Sequence, residues 1–108
     1  MKIKLDDLIS EVTAHGVGEK YVFLKKQDVL SKLTQAAIGI LRKDDDIDFH
    51  LHPTMEEFYY FIEGKGTFII DNEYINCEQN TFVYVPNNIK HKLSTDKYIK
   101  FLYWGVAI

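Results

Sequence analysis

The spacing of hydrophobic and polar positions changes once along this chain. Leu5, Leu8, Ile9 and Val12 fall on one helical face, and this spacing predicts one or two helical turns over Leu5–Val12. Beyond them, short β-branched and aromatic runs are broken by turn residues at the regular interval of a sandwich or barrel. The pattern predicts strands near Lys20–Lys26, Gln35–Arg42, Asp48–His52, Glu57–Ile62, Gly66–Ile70, Tyr74–Cys77, Thr81–Val85, His91–Ser94 and Lys97–Val106.

The connections carry turn chemistry. In "EGKGT", Gly64 and Gly66 flank a lysine and predict a tight hairpin, because glycine enters positive φ cheaply. Asp71-Asn72 in "IDNEY" is a second hairpin tip. In "VPNNIK", Pro86 sets φ and Asn87 and Asn88 tolerate left-handed backbone, so the chain turns before His91. The run "KDDDID" reads as a solvated loop.

Two strands are apolar on both faces. Tyr59 and Phe61 share one face with Glu57, while Phe58, Tyr60 and Ile62 take the other. Near the end of the chain, Ile99, Phe101 and Tyr103 oppose Leu102 and Trp104. A lone barrel leaves its outer face wet and alternates polar with apolar there. Something therefore covers the outside. A second copy of the chain is the simplest cover and predicts a homodimer; a second sheet layer or a folded-back N-terminus is the alternative.

Composition narrows the class. With 108 residues the chain is read as one domain, 1–108, long enough for one hydrophobic core. Thirteen basic against sixteen acidic side chains give a formal charge of -3, which argues against nucleic acid or an anionic membrane as the main partner. Asp6, Asp7 and Glu11 interrupt the start, which is not expected to be a signal peptide, and no apolar run approaches the length of a membrane span. Cys77 is the only cysteine, so no internal disulfide forms, and a cytoplasmic location is expected. Seven Phe, seven Tyr and one Trp suit packed β structure.

The chemistry gathers in "HLHPTMEEFYYFIEG". His50 and His52 are two apart, so on a strand both imidazoles project from one face. Neutral imidazole is the commonest ligand of first-row transition metals, and two such groups supply half a coordination shell. Pro53 ends that strand, and Glu57 on the next is placed to meet them, while His91 follows the Pro86 turn.

These residues resemble the cupin superfamily. Its first motif reads Gly, five residues, His-x-His, three or four residues, Glu, six residues, Gly; here His50, His52, Glu57 and Gly64 keep that spacing. Its second motif reads Gly, five residues, Pro-x-Gly, two residues, His, three residues, Asn; here Pro86 and His91 stand in register. The two motifs span Asp44 to Thr95. The departures are Asp44, Asn80 and Asn88 at glycine positions and Thr95 at the terminal asparagine position. Asp and Asn accept left-handed geometry best among non-glycine residues and keep the turns. Thr95 is expected to alter polar contacts near the site.

The resemblance implies an all-β, antiparallel jelly-roll barrel with at most a short N-terminal helix. It implies a divalent transition metal (Mn, Fe, Ni, Co or Zn) held by His50, His52, Glu57 and His91. Glu56 competes with Glu57, because three intervening residues are also allowed; the spacing to Gly64 favours Glu57, which turns Glu56 outward. His15 is read as a loop residue beside flexible glycines, with a second-site role as the lesser alternative. Tyr59, inward beside Glu57, is the candidate catalytic hydrogen-bond donor or proton-transfer group. The resemblance points to an enzyme acting on a small oxygenated compound, of the sugar isomerase or epimerase type. An iron-dependent dioxygenase and a non-catalytic binder of small molecules are the alternatives. Arg42, the only arginine, lies early on a different strand, which argues against a dioxygenase for a charged substrate.

Overall fold

The computed structural model describes residues 1–108. Eight strands follow in chain order: β1 (Glu11–Val12), β2 (Glu19–Lys25), β3 (Leu33–Arg42), β4 (Met55–Ile70), β5 (Glu73–Glu78), β6 (Phe82–Val85), β7 (His91–Ser94) and β8 (Tyr98–Ala107). All pairings are antiparallel in the order β1-β2-β3-β8-β4-β5, with β6 and β7 also paired to β4. The result is the all-β barrel expected from the strand pattern.

β4 is its spine. Its first part lies between β8 and β6, with Glu57 opposite Gly105 and Val85. Its last part lies between β5 and β7, with Ile70 opposite Glu73 and His91. The hairpin expected at "EGKGT" is absent: the two strands predicted on either side of it are one sixteen-residue strand. Gly64 bends that strand from one sheet into the other, at φ +82, beside a register shift between Phe61 and Glu63. A Cβ there would lie 2.1 Å from the Tyr98 carbonyl oxygen. Glycine marks a left-handed or crowded position, and the sequence does not distinguish a turn from a bulge on that signal.

The other turns follow the residue chemistry. Asp71 and Asn72 both have positive φ and close the two-residue β4–β5 hairpin. Asn80 (φ +68) and Asn88 (φ +59) take the left-handed backbone expected of residues at glycine positions. Two expectations are corrected. The strand over Asp48–His52 reduces to a single bridge between His50 and His91, since Pro53 offers no ladder donor and aspartates are poor strand formers. The helix over Leu5–Val12 is one 3₁₀ turn, Leu5–Asp7, after which Glu11 and Val12 pair with β2. Ile9 and Val12 stay exposed, so no packed face supports a longer helix.

Alternation on the strands fills the interior. Tyr59 and Phe61 from β4, Val83 and Val85 from β6, and Ile99 and Phe101 from β8 are buried together. The opposite faces carry a second aromatic layer. The Phe58 ring stacks on Trp104 at 5.5 Å and meets Tyr84 at 5.4 Å, and Phe82 and Tyr84 are exposed. The two-faced apolar character expected of "EFYYFI" is thus present.

Candidate metal centre

Three segments bring the site together. His50 and His91 exchange both backbone hydrogen bonds across their bridge, at 3.1 and 2.9 Å. Asn88 N–H donates to the His52 carbonyl at 2.9 Å, which lays the His50–Pro53 segment along the Pro86 turn. β4 then presents Glu57 from the adjacent wall. The ligating atoms of His50, His52 and His91 all lie within 4.8 Å of one another, and the three histidines are positioned to bind a metal.

The hydrogen bonds fix which nitrogens face inward. His91 Nδ1 lies 2.8 Å from the Ile89 carbonyl, and His50 Nδ1 lies 3.0 Å from the Asp48 carbonyl. A carbonyl only accepts, so Nδ1 carries the proton and Nε2 keeps a lone pair. Burial, against the pull of the Asp48 carbonyl, lowers the His50 pKa and keeps that ring neutral at pH 7.

Glu57 Oε1 lies 3.4 Å from both His52 Nε2 and His91 Nε2. Glu57 Oε1 and His91 Nε2 are fully enclosed and have no hydrogen-bond partner. Two enclosed acceptor-type atoms facing each other without a shared proton are costly. Metal–ligand bonds of about 2 Å meeting at a common ion place neighbouring donor atoms about 3 Å apart, close to this separation. The three imidazoles, with the Glu57 carboxylate beside two of them, make a donor set that could hold a divalent transition metal.

Other expected residues divide. Tyr59 is buried, lines the same cavity and stacks on Tyr103 at 5.5 Å between centroids. Burial, and then the Glu57 charge, push its phenol well above the usual tyrosine range, so it holds its proton. Glu56 points outward as expected and accepts a hydrogen bond from the Tyr84 hydroxyl. Thr95 is not near the histidines. Its hydroxyl donates to the Lys65 carbonyl at 2.6 Å and receives the Lys97 N–H at 3.3 Å, bracing the bend in β4 at the far end of the barrel.

Among the cavity residues that the sequence did not point to, four bear on its chemistry. His15 is indeed a loop residue, but its ring lies 4.2 Å from that of His50. Gly16 and Gly18, both at positive φ, curl the β1–β2 connection so that His15 reaches the mouth. Burial lowers its pKa first, then the neighbouring His52. Lys20, Gln35 and Tyr103 also line the cavity, whose volume is about 160 Å³. Lys20 shares a strand face with buried Val22, and Gln35 shares one with buried Ala37, so polar residues on an apolar face were the available signal. Lys20 also supplies the inward cation that the position of Arg42 alone did not offer. Arg42 itself is paired with Glu19.

Known proteins match this description. The cupin domain family model matches residues 38–104, more than half of the chain. An uncharacterized protein of Methanocaldococcus jannaschii is 39% identical over 44 residues, 41% of this chain and 35% of that protein. Among solved structures, a predicted oxalate decarboxylase of Thermotoga maritima superposes with a TM-score of 0.90 at 17% identity, covering 100% of both chains. The polyketide cyclase RemF of Streptomyces resistomycificus gives 0.80 at 10% identity, covering 99% of this chain and 78% of that one. KdgF of a Halomonas species gives 0.76 at 10% identity, over 94% and 89%. Such distant likeness shows the fold, and the family match adds the ancestry. The chain belongs to the cupin superfamily.

Proposed function

We propose that this cupin is a metal-dependent enzyme acting on a small oxygenated compound, of the isomerase or epimerase type, with His50, His52, Glu57 and His91 as its metal ligands. The observation that carries this is the pair of enclosed, partnerless atoms, Glu57 Oε1 and His91 Nε2, aimed at one point. When bound, a divalent ion there (Mn, Fe, Ni, Co or Zn) supplies a Lewis acid for a carbonyl and its adjacent hydroxyl. Glu57 offsets one of its charges, and the Ile89 and Asp48 carbonyls hold two imidazoles in the ligating tautomer. Tyr59 keeps its proton beside Glu57 and is the donor to a substrate oxygen that gains charge. A cavity of about 160 Å³ suits a small ligand.

The test is metal analysis of untagged protein beside His91→Ala, followed by thermal shift and turnover with short keto- and aldo-sugars and their acids. Stoichiometric metal in the wild type and its loss in the variant are expected. Metal-free wild type, with a variant of equal stability and ligand binding, overturns the assignment.

An iron-dependent dioxygenase is the second reading, favoured by Lys20 at the cavity wall. Oxygen uptake by the Fe(II)-loaded protein separates the two. We propose also that a second copy of the chain covers the outer aromatic face around Phe58, Phe82, Tyr84 and Trp104, forming a homodimer.

A further inference from the structure

One wall of the cavity is a directed row of hydrogen bonds. Lys20 Nζ donates to Gln35 Oε1 at 3.2 Å, and Gln35 Nε2 donates to the Tyr103 hydroxyl at 3.4 Å. The direction is forced, because an ammonium group only donates and so the amide oxygen must face it. The Tyr103 oxygen accepts from Gln35, which leaves its own O–H free to donate. Burial pushes the Tyr103 phenol up to about 12, so that proton is present throughout the neutral range. Lys20 keeps two further N–H groups. The row therefore offers donors from Lys20 and from Tyr103, which is the complement of an anion.

Charge points the same way. Lys20 is the only lysine or arginine lining the cavity, and it forms no ion pair. Glu19, the carboxylate beside it in sequence, also lines the cavity but is taken up by Arg42 and by the Tyr21 hydroxyl at 3.1 Å. Glu57 faces the histidines instead. With a divalent ion on three neutral imidazoles and Glu57, the ion end is left at +1, and Lys20 adds a second positive charge on the adjoining wall.

We infer that the cavity takes a small carboxylate: an α-oxygenated acid whose oxygens meet the metal centre and whose distal carboxylate meets Lys20 and Tyr103. This rests on the metal assignment above and adds the substrate's charge, its two-point hold and its size. Lys20 is the specificity-determining residue, and Gln35 positions it against Tyr103. A charge-assisted contact on a partly enclosed wall discriminates by about tenfold.

The experiment uses tartronate, malate and 2-hydroxyglutarate, a 2-hydroxy diacid series of rising length, against lactate, which has the same α-hydroxy acid head and no distal carboxylate. Binding to the Mn(II)-loaded full chain is measured by calorimetry, with metal content determined on each sample. At least one diacid is expected to bind about tenfold tighter than lactate. Lys20→Met should bring that diacid down to the level of lactate while lactate is unchanged, and Lys20→Arg should retain most of the preference. Equal binding of all four acids, binding of none, or an unchanged diacid preference in Lys20→Met overturns the inference. Metal analysis keeps the two assignments apart. Failure to load metal sinks the metal centre, and a diacid preference that survives in the unloaded protein and vanishes in Lys20→Met leaves the Lys20 subsite standing alone.

Discussion

Replacing Glu57 by methionine separates a metal ligand from an ordinary buried ion-pair partner. The side chain keeps its length but loses both carboxylate oxygens. Without metal, Glu57 Oε1 is enclosed 3.4 Å from both His52 Nε2 and His91 Nε2 and has no hydrogen-bond partner. A buried polar group left unpaired costs roughly 1–3 kcal/mol, and more when charged. Glu57→Met should therefore raise the stability of the metal-free protein by about that amount. For a domain of this size each kcal/mol moves Tm by roughly 4–8 °C. Metal should act oppositely on the two proteins. Wild type gains about 2.7 kcal/mol at a metal concentration of 100 Kd, and the variant gains far less. Differential scanning calorimetry with EDTA and with Mn(II) or Zn(II) reads all four states. A variant less stable than wild type in EDTA, together with no metal-dependent shift in wild type, would show that Glu57 is held by protonated histidines and refute the reasoning.

Three further outcomes follow from the fold. Gly64→Ala combines a left-handed backbone with a Cβ 2.1 Å from a carbonyl oxygen, and should cost about 3 kcal/mol or more in urea denaturation; a loss below 1 kcal/mol contradicts the bend described for β4. Cys77 is buried and its thiol is pushed up from 9.0 to about 11 by desolvation, so at pH 8 a thiol reagent should react at least about a hundredfold more slowly with the native than with the urea-unfolded protein; comparable rates contradict its burial. If a second copy covers the outer aromatic face, Phe82→Asp should halve the mass measured by light scattering at micromolar concentration, whereas a wild type that is already monomeric there removes the dimer proposal.

Much of the barrel was legible because the strand alternation is strong. Tyr59 and Phe61 inward, Phe58 and Tyr60 outward, the Asp71-Asn72 hairpin and the left-handed Asn80 and Asn88 all followed from residue type. The grouping of His50, His52 and His91 was legible only through motif spacing, since their contact depends on a bridge between distant segments. His15 and Lys20 were not legible as site residues. His15 reaches the cavity through the path of the β1–β2 connection, which no local pattern encodes, and Lys20 carried only the weak sign of a polar residue on an apolar face. Gly64 failed in the other direction: its local signal was read correctly as special backbone but assigned to the wrong device.

The bend at Gly64 has a consequence for how β4 finds its place. A strand with one apolar face locks its register by hydrophobicity, because a one-residue slip would expose that face. "EFYYFI" is apolar on both faces and lacks that safeguard: a slip would bury Phe58 and Tyr60 at little cost and turn Glu56 inward in place of Glu57. What forbids the slip is that only the residue without a side chain tolerates the point where the strand crosses under Tyr98. The correct carboxylate reaches the histidines because the crossing point seven positions later admits no residue but glycine.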